Sequence, residues 1–567
     1  MIDDKKNFWR AALFIFAIVI SQPAFSLDTM TYGHDILFHT FRIEGMAESM
    51  SGGQFPVRIV GKSLAGYGDP SGIFYPNFFF YIPALLRMID IPIAVSYNAF
   101  CFLINLATIG ASFWIFEKLI GSTKIAAAIA MLYGGFMYRL IDLYVRSALG
   151  EAIAMTFMPL ALISLWLMLN RSEKFWKAVV IGFTGVLQAH ILSSLFMVCA
   201  ACVIVMWSVK RLGRSEVRIA MLKAVGFTAI LNLWFYIPFL DFYSTMSFNM
   251  QDELRSINIL SSSSLPWTLF GGMQLFIGWS IVLILIAFIA KERTAIDRTW
   301  RLALAFGILT LIMSTKIFPW DMLESLPLIG ERLGVLQFPY RLVMLGSMTL
   351  AYCAGIALVR LLDGMKHSRW LICLLCFAIA QYNFAFLNDS EGKTPEVNGY
   401  PCNWYIDHDD KYFRMCFVDC EAFGYIDYLY SDLGFDDLIV GFAPEDFLDN
   451  LKKPPKLRND DLSMAPRGSI VDYRKTGMTI DLDVRTDEPA TLRLPLFYFD
   501  GYEATTADGR SLKVGSIDKH RLTVEVPKGE THIRVEYVGR NAWRIALMLS
   551  MIGLMGFVIQ VRREGSC

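Results

Sequence analysis

Three side chains in the first polar stretch of the chain have types and spacing suited to acid–base chemistry. Asp35, His39 and Arg42 lie at positions i, i+4 and i+7, which share one face if this segment is helical. A carboxylate, an imidazole and a guanidinium on one face suit general-base chemistry on a phosphorylated substrate. The alternative is a solvated loop helix on which the same charges are incidental.

These residues belong to the stretch from Tyr32 to Pro76, which is polar where most of its surroundings are apolar. The stretch follows the first hydrophobic segment directly and contains two clusters of glycine and proline, which are typical of turns. The segments of the chain on either side of it are mostly apolar.

The composition identifies an integral membrane protein. Of the 567 residues, 55% are hydrophobic, whereas soluble globular proteins average about 45–50% even with glycine counted. The formal net charge is zero, which gives a nucleic-acid partner no electrostatic support. The ten cysteines are scattered and several lie in apolar runs, so they form no metal-binding framework.

The first apolar segment has two interpretations. Lys5, Lys6 and Arg10 precede it, and a small-residue stretch follows, as in a secretory signal peptide. We favour an uncleaved first membrane helix over residues 8–27, because removing it would reverse the orientation of every later segment.

Apolar runs of about 20 residues and cytoplasmic Lys/Arg clusters together predict twelve crossings. Both termini are then cytoplasmic, and the expected location is the bacterial plasma (inner) membrane. Residues 178–208 are flanked by basic clusters at both ends, which predicts two short crossings with His190 near the outer face. The alternative for His190 is a hydrogen bond within the core. The apolar run at residues 78–89 is too short to span the membrane, which predicts a helix that lies in the membrane interface.

The chain divides into three predicted parts. Residues 1–387 form a multi-helix membrane domain with a first outer loop at 28–77. Residues 388–540 form an exoplasmic domain whose second half alternates with period two, which predicts an antiparallel β-sandwich. Residues 541–567 supply the last crossing and a cytoplasmic tail. In the exoplasmic domain, Cys402, Cys416 and Cys420 permit one disulfide and leave one cysteine over.

Several charged side chains are predicted to collect at the outer face of the bundle. Arginines there suit a phosphate or diphosphate, because their forked donors match its oxygens. The alternative is headgroup snorkelling and ion pairing with Asp142 and Glu151. Glu151 opens a helix, where the macrodipole also favours an anion for structural reasons. The predicted constellation consists of Asp35, His39, Arg42, Arg139, Arg146, Glu151, His190 and Arg341.

Motifs along nearly the whole chain resemble one family. The stretches Gly-Tyr-Gly-Asp-Pro at 66–70, Phe-Tyr-Pro at 74–76, the segment 144–151, Gln-Phe-Pro-Tyr-Arg at 337–341 and Phe-Asp-Gly-Tyr at 499–502 occur in order. They resemble motifs of the bacterial YfhO-like membrane proteins, also labelled 6-pyruvoyl-tetrahydropterin synthase-related. That group in turn resembles the GT-C glycosyltransferases. The resemblance implies a GT-C-like α-helical polytopic membrane protein.

The resemblance also implies an activity. It suggests a membrane glycosyltransferase that moves a sugar from a polyprenyl-phosphate donor to a cell-envelope glycan or lipid acceptor on the exoplasmic face. Asp35 becomes the catalytic base, and the other seven residues of the constellation become candidates for substrate binding. His34-Asp35 replaces an Asp-X-Asp or a pair of adjacent acids, so a divalent metal is left open but is not indicated, and no other cofactor is expected.

Two other classes remain open. A lipid or polysaccharide transporter or flippase would place charges in mid-membrane and show internal repeats, whereas these charges cluster at loop edges and no repeat is evident. A non-catalytic envelope assembly protein would use the exoplasmic domain as a binding module.

Overall fold

The computed structural model is predominantly helical in its first part and β-rich near its end. It describes residues 2–27, 29–31, 33–61, 66–248, 263–264, 278–291, 297–327, 330–390, 396–397, 400–401, 405–407, 462–466, 468–518 and 520–565. Cys402, Cys416 and Cys420, with the predicted disulfide, lie outside these residues.

The helices follow the apolar segments of the sequence, with polar caps and glycines at several ends. Asp297 accepts a hydrogen bond from the Trp300 amide at 2.7 Å and so caps one helix, and Gly121 ends another with a φ of +74°. In chain order the helices are α1 Ile2–Val19, α2 Ile36–Ser51, α3 Ser71–Phe74, α4 Tyr81–Met88, α5 Ile93–Ile120, α6 Thr123–Gly134, α7 Met137–Leu140, α8 Leu149–Asn170, α9 Trp176–Leu187, α10 Ile191–Trp207, α11 Ser215–Thr245, α12 Trp279–Lys291, α13 Arg298–Met313, α14 Trp320–Glu324, α15 Gly330–Leu333, α16 Val343–Leu361, α17 Ser368–Ser390 and α18 Asn541–Glu564.

Six of the described helices are long and apolar enough to cross a membrane, and a bent pair makes a seventh if it counts as one span. The protein is therefore a multi-pass membrane protein. A helix covers each of the twelve predicted crossings, but several are too short to qualify, so the predicted number of twelve is not confirmed. The six spans are Ile93–Ile120, Leu149–Asn170, Ser215–Thr245, Pro339–Leu361, Ser368–Ala385 and Asn541–Glu564.

The two predicted short helices within residues 178–208 are confirmed. They are α9 and α10, separated by a three-residue break that contains His190. The predicted short helix before α5 is present as well, as a 3₁₀ turn at Phe78–Phe80 followed by α4. Phe78, Leu85 and Ile89 expose more than half of their surface there, as expected of a helix that lies in the membrane interface.

The β-rich region consists of two antiparallel sheets. One has the strand order β10-β9-β13-β7-β6 and the other β11-β12-β8-β5. Alternate residues such as Ile480, Leu494 and Val535 point into one buried core shared by both sheets, which confirms the period-two prediction. Two separate two-stranded sheets pair β1 Thr29–Thr31 with β4 Tyr405–Asp407 and β2 Glu396–Val397 with β3 Tyr400–Pro401. The strands of the two larger sheets are β5 Ser463–Ala465, β6 Ser469–Thr476, β7 Thr479–Thr486, β8 Ala490–Phe497, β9 Tyr502–Thr506, β10 Ser511–Leu512, β11 Val514–Ile517, β12 Arg521–Val526 and β13 Gly529–Tyr537.

The second half of the first loop packs on this β-sandwich. Ile59, Tyr67 and Phe74 belong to the same buried cluster as the sandwich core. The Phe497 amide donates a hydrogen bond to the Tyr67 carbonyl at 2.9 Å, and the Arg521 guanidinium lies 4.2 Å from the Tyr67 ring centroid. The loop therefore joins the β-sandwich to the helical part, while its first half enters the helix bundle.

Candidate active site

The first half of the loop is held against the segment that precedes α8. The His34 and Asp35 amides donate hydrogen bonds to the carbonyls of Val145 and Arg146, at 3.1 and 2.8 Å. A Cβ at Gly33 would lie 2.0 Å from the Ser147 hydroxyl oxygen, so only glycine permits this approach. These contacts fix Asp35 next to the Arg146 backbone.

Asp35 is the N-cap residue of α2, but its carboxylate makes no capping hydrogen bond. The side chain is half-buried. Burial raises the pKa of Asp35, and the charges of Arg146 and Arg341 oppose this rise without cancelling it. The sequence predicts that a neighbouring arginine keeps this carboxyl ionised; Arg146 and Arg341 act in that direction, although burial has the larger effect on the pKa. A carboxyl with a raised pKa is a stronger base once it is ionised.

A broken helix brings Arg146 to the site. The segments Thr123–Gly134 and Met137–Val145 are bent by 47° relative to each other. The second segment ends in a π-helical turn at Ile141–Val145, a feature that occurs frequently at functional sites. This turn places Asp142 and Arg146 four residues apart on one side, where they form an ion pair.

Glu151 connects the charged groups. It lies in the first turn of α8 and is 2% exposed. One of its carboxylate oxygens accepts a hydrogen bond from the Tyr138 hydroxyl. The other lies 3.2 Å from Arg146 Nη1 and 3.5 Å from Arg341 Nε. The ion-pairing alternative for Arg146 is therefore present in the structure.

Arg341 reaches this cluster from the segment before α16. Gln337, which has a φ of +59°, accepts a hydrogen bond from Arg341 Nη1. Tyr340 packs beside the cluster, with the Arg146 guanidinium 5.2 Å from its ring centroid. The structure thus brings together Asp35, Arg146, Glu151 and Arg341 from three separate parts of the chain.

His190 lies at the edge of the cluster and has a structural hydrogen bond. It is the N-cap residue of α10, and its Nδ1 lies 2.8 Å from the Ser193 hydroxyl. Burial and the charge of Arg341 lower the pKa of His190 to about 3, so the ring is neutral at pH 7. Its ring centroid is 5.8 Å from that of Tyr75. A Cβ at Gly150 would meet the Tyr75 hydroxyl at 2.2 Å, so glycine allows the loop to approach α8.

Two residues of the predicted α2 face lie behind the site. His39 and Arg42 are 1% and 2% exposed. The Arg42 guanidinium lies 4.2 Å from the Tyr75 ring centroid and 4.1 Å from that of Phe80, and it donates to the Pro76 carbonyl at 3.1 Å. His39 stacks on Phe80. Packing and hydrogen bonds thus enclose both side chains, and their role in substrate binding stays a prediction.

Arg139 is also enclosed. It is fully buried, and its guanidinium donates to Asn105 at 2.7 Å, to Thr108 at 2.9 Å and to the Gly134 carbonyl at 3.1 Å. The sequence predicts Arg139 in an outer loop; the structure corrects this and places it inside the bundle, where it stabilises the break between α6 and α7.

Other residues at the site were not among the candidates chosen from the sequence. Asp142, Tyr138 and Tyr340 contact the charged cluster directly. Two of them could have been found from the sequence. Asp142 lies four residues before Arg146, and Tyr340 lies inside the motif at 337–341. No sequence pattern points to Tyr138, because its contact with Glu151 depends on the bend between α6 and α7. Within the described part of the chain, no group of three or more His, Cys, Asp or Glu residues is arranged to hold a metal ion.

The fold and the site define a multi-pass membrane protein in which the half-buried carboxylate of Asp35 lies near two arginines, Arg146 and Arg341. No family model matches the chain, and no curated protein matches it.

Solved structures of transferases match part of the chain at low identity and low structural overlap. ArnT from Cupriavidus metallidurans bound to undecaprenyl phosphate has a TM-score of 0.42 and 14% identity, over 69% of this chain and 66% of that one. The arabinofuranosyltransferase AftD from Mycobacteria has a TM-score of 0.40 and 14% identity, over 68% and 27%. The archaeal oligosaccharyltransferase AglB from Archaeoglobus fulgidus, in complex with an inhibitory peptide and a dolichol-phosphate, has a TM-score of 0.39 and 11% identity, over 72% and 58%. The match thus spans less than two thirds of each of these chains, and it assigns no activity.

Proposed function

We propose that this protein is a membrane glycosyltransferase that moves a sugar from a polyprenyl-phosphate donor to a hydroxyl of a cell-envelope glycan or lipid. The observation that carries the proposal is the position of Asp35. Its half-buried carboxylate makes no capping bond and lies in the field of Arg146 and Arg341. A base beside two cations is the arrangement that transfer from a phosphate-linked sugar needs.

The reaction assigns one role to each group. The acceptor oxygen forms a bond to the anomeric carbon of the sugar, and the bond from that carbon to the phosphate oxygen breaks. Asp35 takes the acceptor proton, and the lipid phosphate leaves with the bonding electrons. Arg146 and Arg341 stabilise its negative charge. One carboxylate acts as base and no second one acts as nucleophile, so we expect inversion at the anomeric carbon.

The arginines retain donors for this role. Both ion pairs of Arg146 use Nη1, and a guanidinium carries five N–H donors. The carboxylates of Asp142 and Glu151 then orient the guanidinium and do not saturate it. Glu151 holds Arg146 and Arg341 side by side, as a pair that one phosphate could bridge.

The test is sugar transfer by the purified full-length protein in lipid, with a labelled polyprenyl-phosphate sugar and an envelope-lipid acceptor fraction. Asp35→Asn keeps the shape but removes the basicity, so transfer should fall by about 100- to 10,000-fold. Asp69→Asn is the matched control. Asp69 is 4% exposed, and its carboxylate accepts a hydrogen bond from the Ser71 amide at 2.8 Å, a role that asparagine retains.

The outcomes separate the alternatives. Loss of transfer in Asp35→Asn with near-normal turnover in Asp69→Asn supports the proposal. If transfer persists in Asp35→Asn but fails in Glu44→Gln, the base is wrongly assigned; Glu44 is paired with Arg87 at 2.6 Å. Movement of labelled lipid between leaflets without sugar transfer would refute the proposed transferase activity and favour a flippase.

A further inference from the structure

A second polar cleft lies at the far end of α2 from Asp35. It forms where residues 52–58, the end of strand β13 and the first turns of α18 meet, and its volume is about 400 Å³, within the range of small-molecule sites. The 16 residues of α2 separate it from Asp35, which at 1.5 Å per residue is about 24 Å. The cleft is therefore distinct from the candidate active site.

The cleft contains a buried cation that lacks an acidic partner among the described residues. Arg58 is 5% exposed, and its Nη2 donates to the Trp234 carbonyl. Its Nη1 is buried with no hydrogen-bond partner in the described part of the chain. Burial lowers the pKa of Arg58 only to about 10, so the guanidinium is charged at pH 7. An unpaired buried donor of this kind costs free energy unless a ligand satisfies it.

A second residue that lines the cleft also has buried polar atoms without a hydrogen-bond partner. Both amide atoms of Gln54 are buried without a hydrogen-bond partner among the described residues. Arg534 and Arg544 also line the cleft, and Glu536 is its one acidic lining residue. Arg544 pairs with Glu503 at 3.0 Å through side chains that are about half exposed, and pairs of this kind are weak enough to be exchanged. Arg534 is likewise paired, with Asp481 at 3.4 Å and with Glu536 at 3.6 Å. The buried charge of Arg58 therefore selects an anion.

The position of the cleft indicates what carries the anion. It opens at the beginning of α18, one of the six membrane spans. Trp543, which is 3% exposed, lines the cleft in the first turn of this helix, and Leu547 lines it one turn deeper. Phe55 is 71% exposed beside it. A ligand with a phosphate headgroup and an apolar chain would satisfy both parts of this lining.

We propose that the cleft binds the phosphate ester of an anionic membrane lipid, with Arg58 and Gln54 as the principal ligands of the phosphate oxygens. Arg534 and Arg544 supply further charge at the rim, and Leu547 and Phe55 contact the first methylene groups of the lipid chain. A lipid bound here would join the β-sandwich, the first loop and the last membrane helix.

The test measures lipid binding to the purified full-length protein by native mass spectrometry, with phosphatidylglycerol and phosphatidylcholine as probes. We expect preferential retention of phosphatidylglycerol, and a loss of affinity of about tenfold or more in Arg58→Gln and in Gln54→Leu. Arg474→Gln is the control, because Arg474 is an arginine of the sandwich whose side chain is 80% exposed. If Arg58→Gln fails to fold, the double variant Arg534→Gln/Arg544→Gln replaces it.

The remaining outcomes decide against the proposal. Equal retention of the two lipids by the unmodified protein would overturn it, and so would unchanged affinity in the cleft variants. sn-Glycerol 1-phosphate tests the source of the phosphate: binding as tight as that of the lipid would assign the cleft to a soluble phosphate ester instead. The readout is binding alone, so failure of the proposed transferase activity leaves this test unaffected.

Discussion

Replacing Glu151 by glutamine removes the carboxylate that Arg146 and Arg341 share, while the amide oxygen can still accept the Tyr138 hydroxyl. The two broken ion pairs measure 3.2 and 3.5 Å, and Glu151 is 2% exposed. Breaking a buried pair by removing one partner costs about 3–5 kcal/mol. Asp142 remains paired with Arg146, so we expect the lower end, about 3 kcal/mol.

The control has the same geometry on the surface. Arg485 and Glu530 are also 3.2 Å apart, but their side chains are 66% and 74% exposed. Glu530→Gln should cost at most about 1 kcal/mol, since solvent screens an exposed pair. Thermal unfolding of both variants in detergent measures the difference. A Glu151→Gln variant as stable as Glu530→Gln would refute the reasoning that burial makes this network structurally important.

The same variant tests whether the arginines bind phosphate. Without the Glu151 carboxylate, a bound phosphate would be the only anion bridging Arg146 and Arg341. Undecaprenyl phosphate should therefore raise the unfolding temperature of Glu151→Gln more than that of the unmodified protein, because the stabilisation by a ligand of the folded state grows with the logarithm of its affinity. An equal or smaller shift in the variant would show that the two arginines serve only the ion-pair network.

The remaining predictions concern donor binding, topology and pH. Arg146→Ala should weaken binding of the lipid-phosphate donor by about tenfold or more, whereas Lys174→Ala, an exposed lysine remote from the cluster, should not; equal small effects would favour headgroup snorkelling. Cysteines introduced at Ser51 and Ser172 should be labelled from opposite sides of the membrane, and labelling from one side would contradict the charge-based topology. Because the folded-state pKa of Asp35 is raised, its ionisation lowers stability as pH rises above the ordinary aspartate pKa. Asp35→Asn should therefore melt at the same or a higher temperature at pH 7, with the difference vanishing in acid; a less stable variant at pH 7 would contradict the raised pKa.

The sequence alone determined the features that depend on local patterns. Apolar runs predicted a helix at each of the twelve positions where the structure has one, since a helix satisfies its own backbone in a membrane. Period-two alternation predicted the β-sandwich, because one face of each strand must be buried. The break around His190 followed from two basic clusters that flank about thirty apolar residues. The sidedness of all these elements stays a prediction.

The tertiary structure decided which charged residues can act at the site. Arg139 and Arg146 are seven positions apart and equivalent by type, yet the bend and π-helical turn bury one among Asn105 and Thr108 and bring the other beside Asp35. Arg42 lies in α2, the helix that Asp35 precedes, but the rings of Tyr75 and Phe80 enclose its guanidinium. Electrostatic free energy depends on burial and on partners brought from distant parts of the chain, as Arg341 is brought to Glu151. Composition and spacing do not show which distant residues come into contact. These contacts form when the first loop packs on both the helix bundle and the β-sandwich.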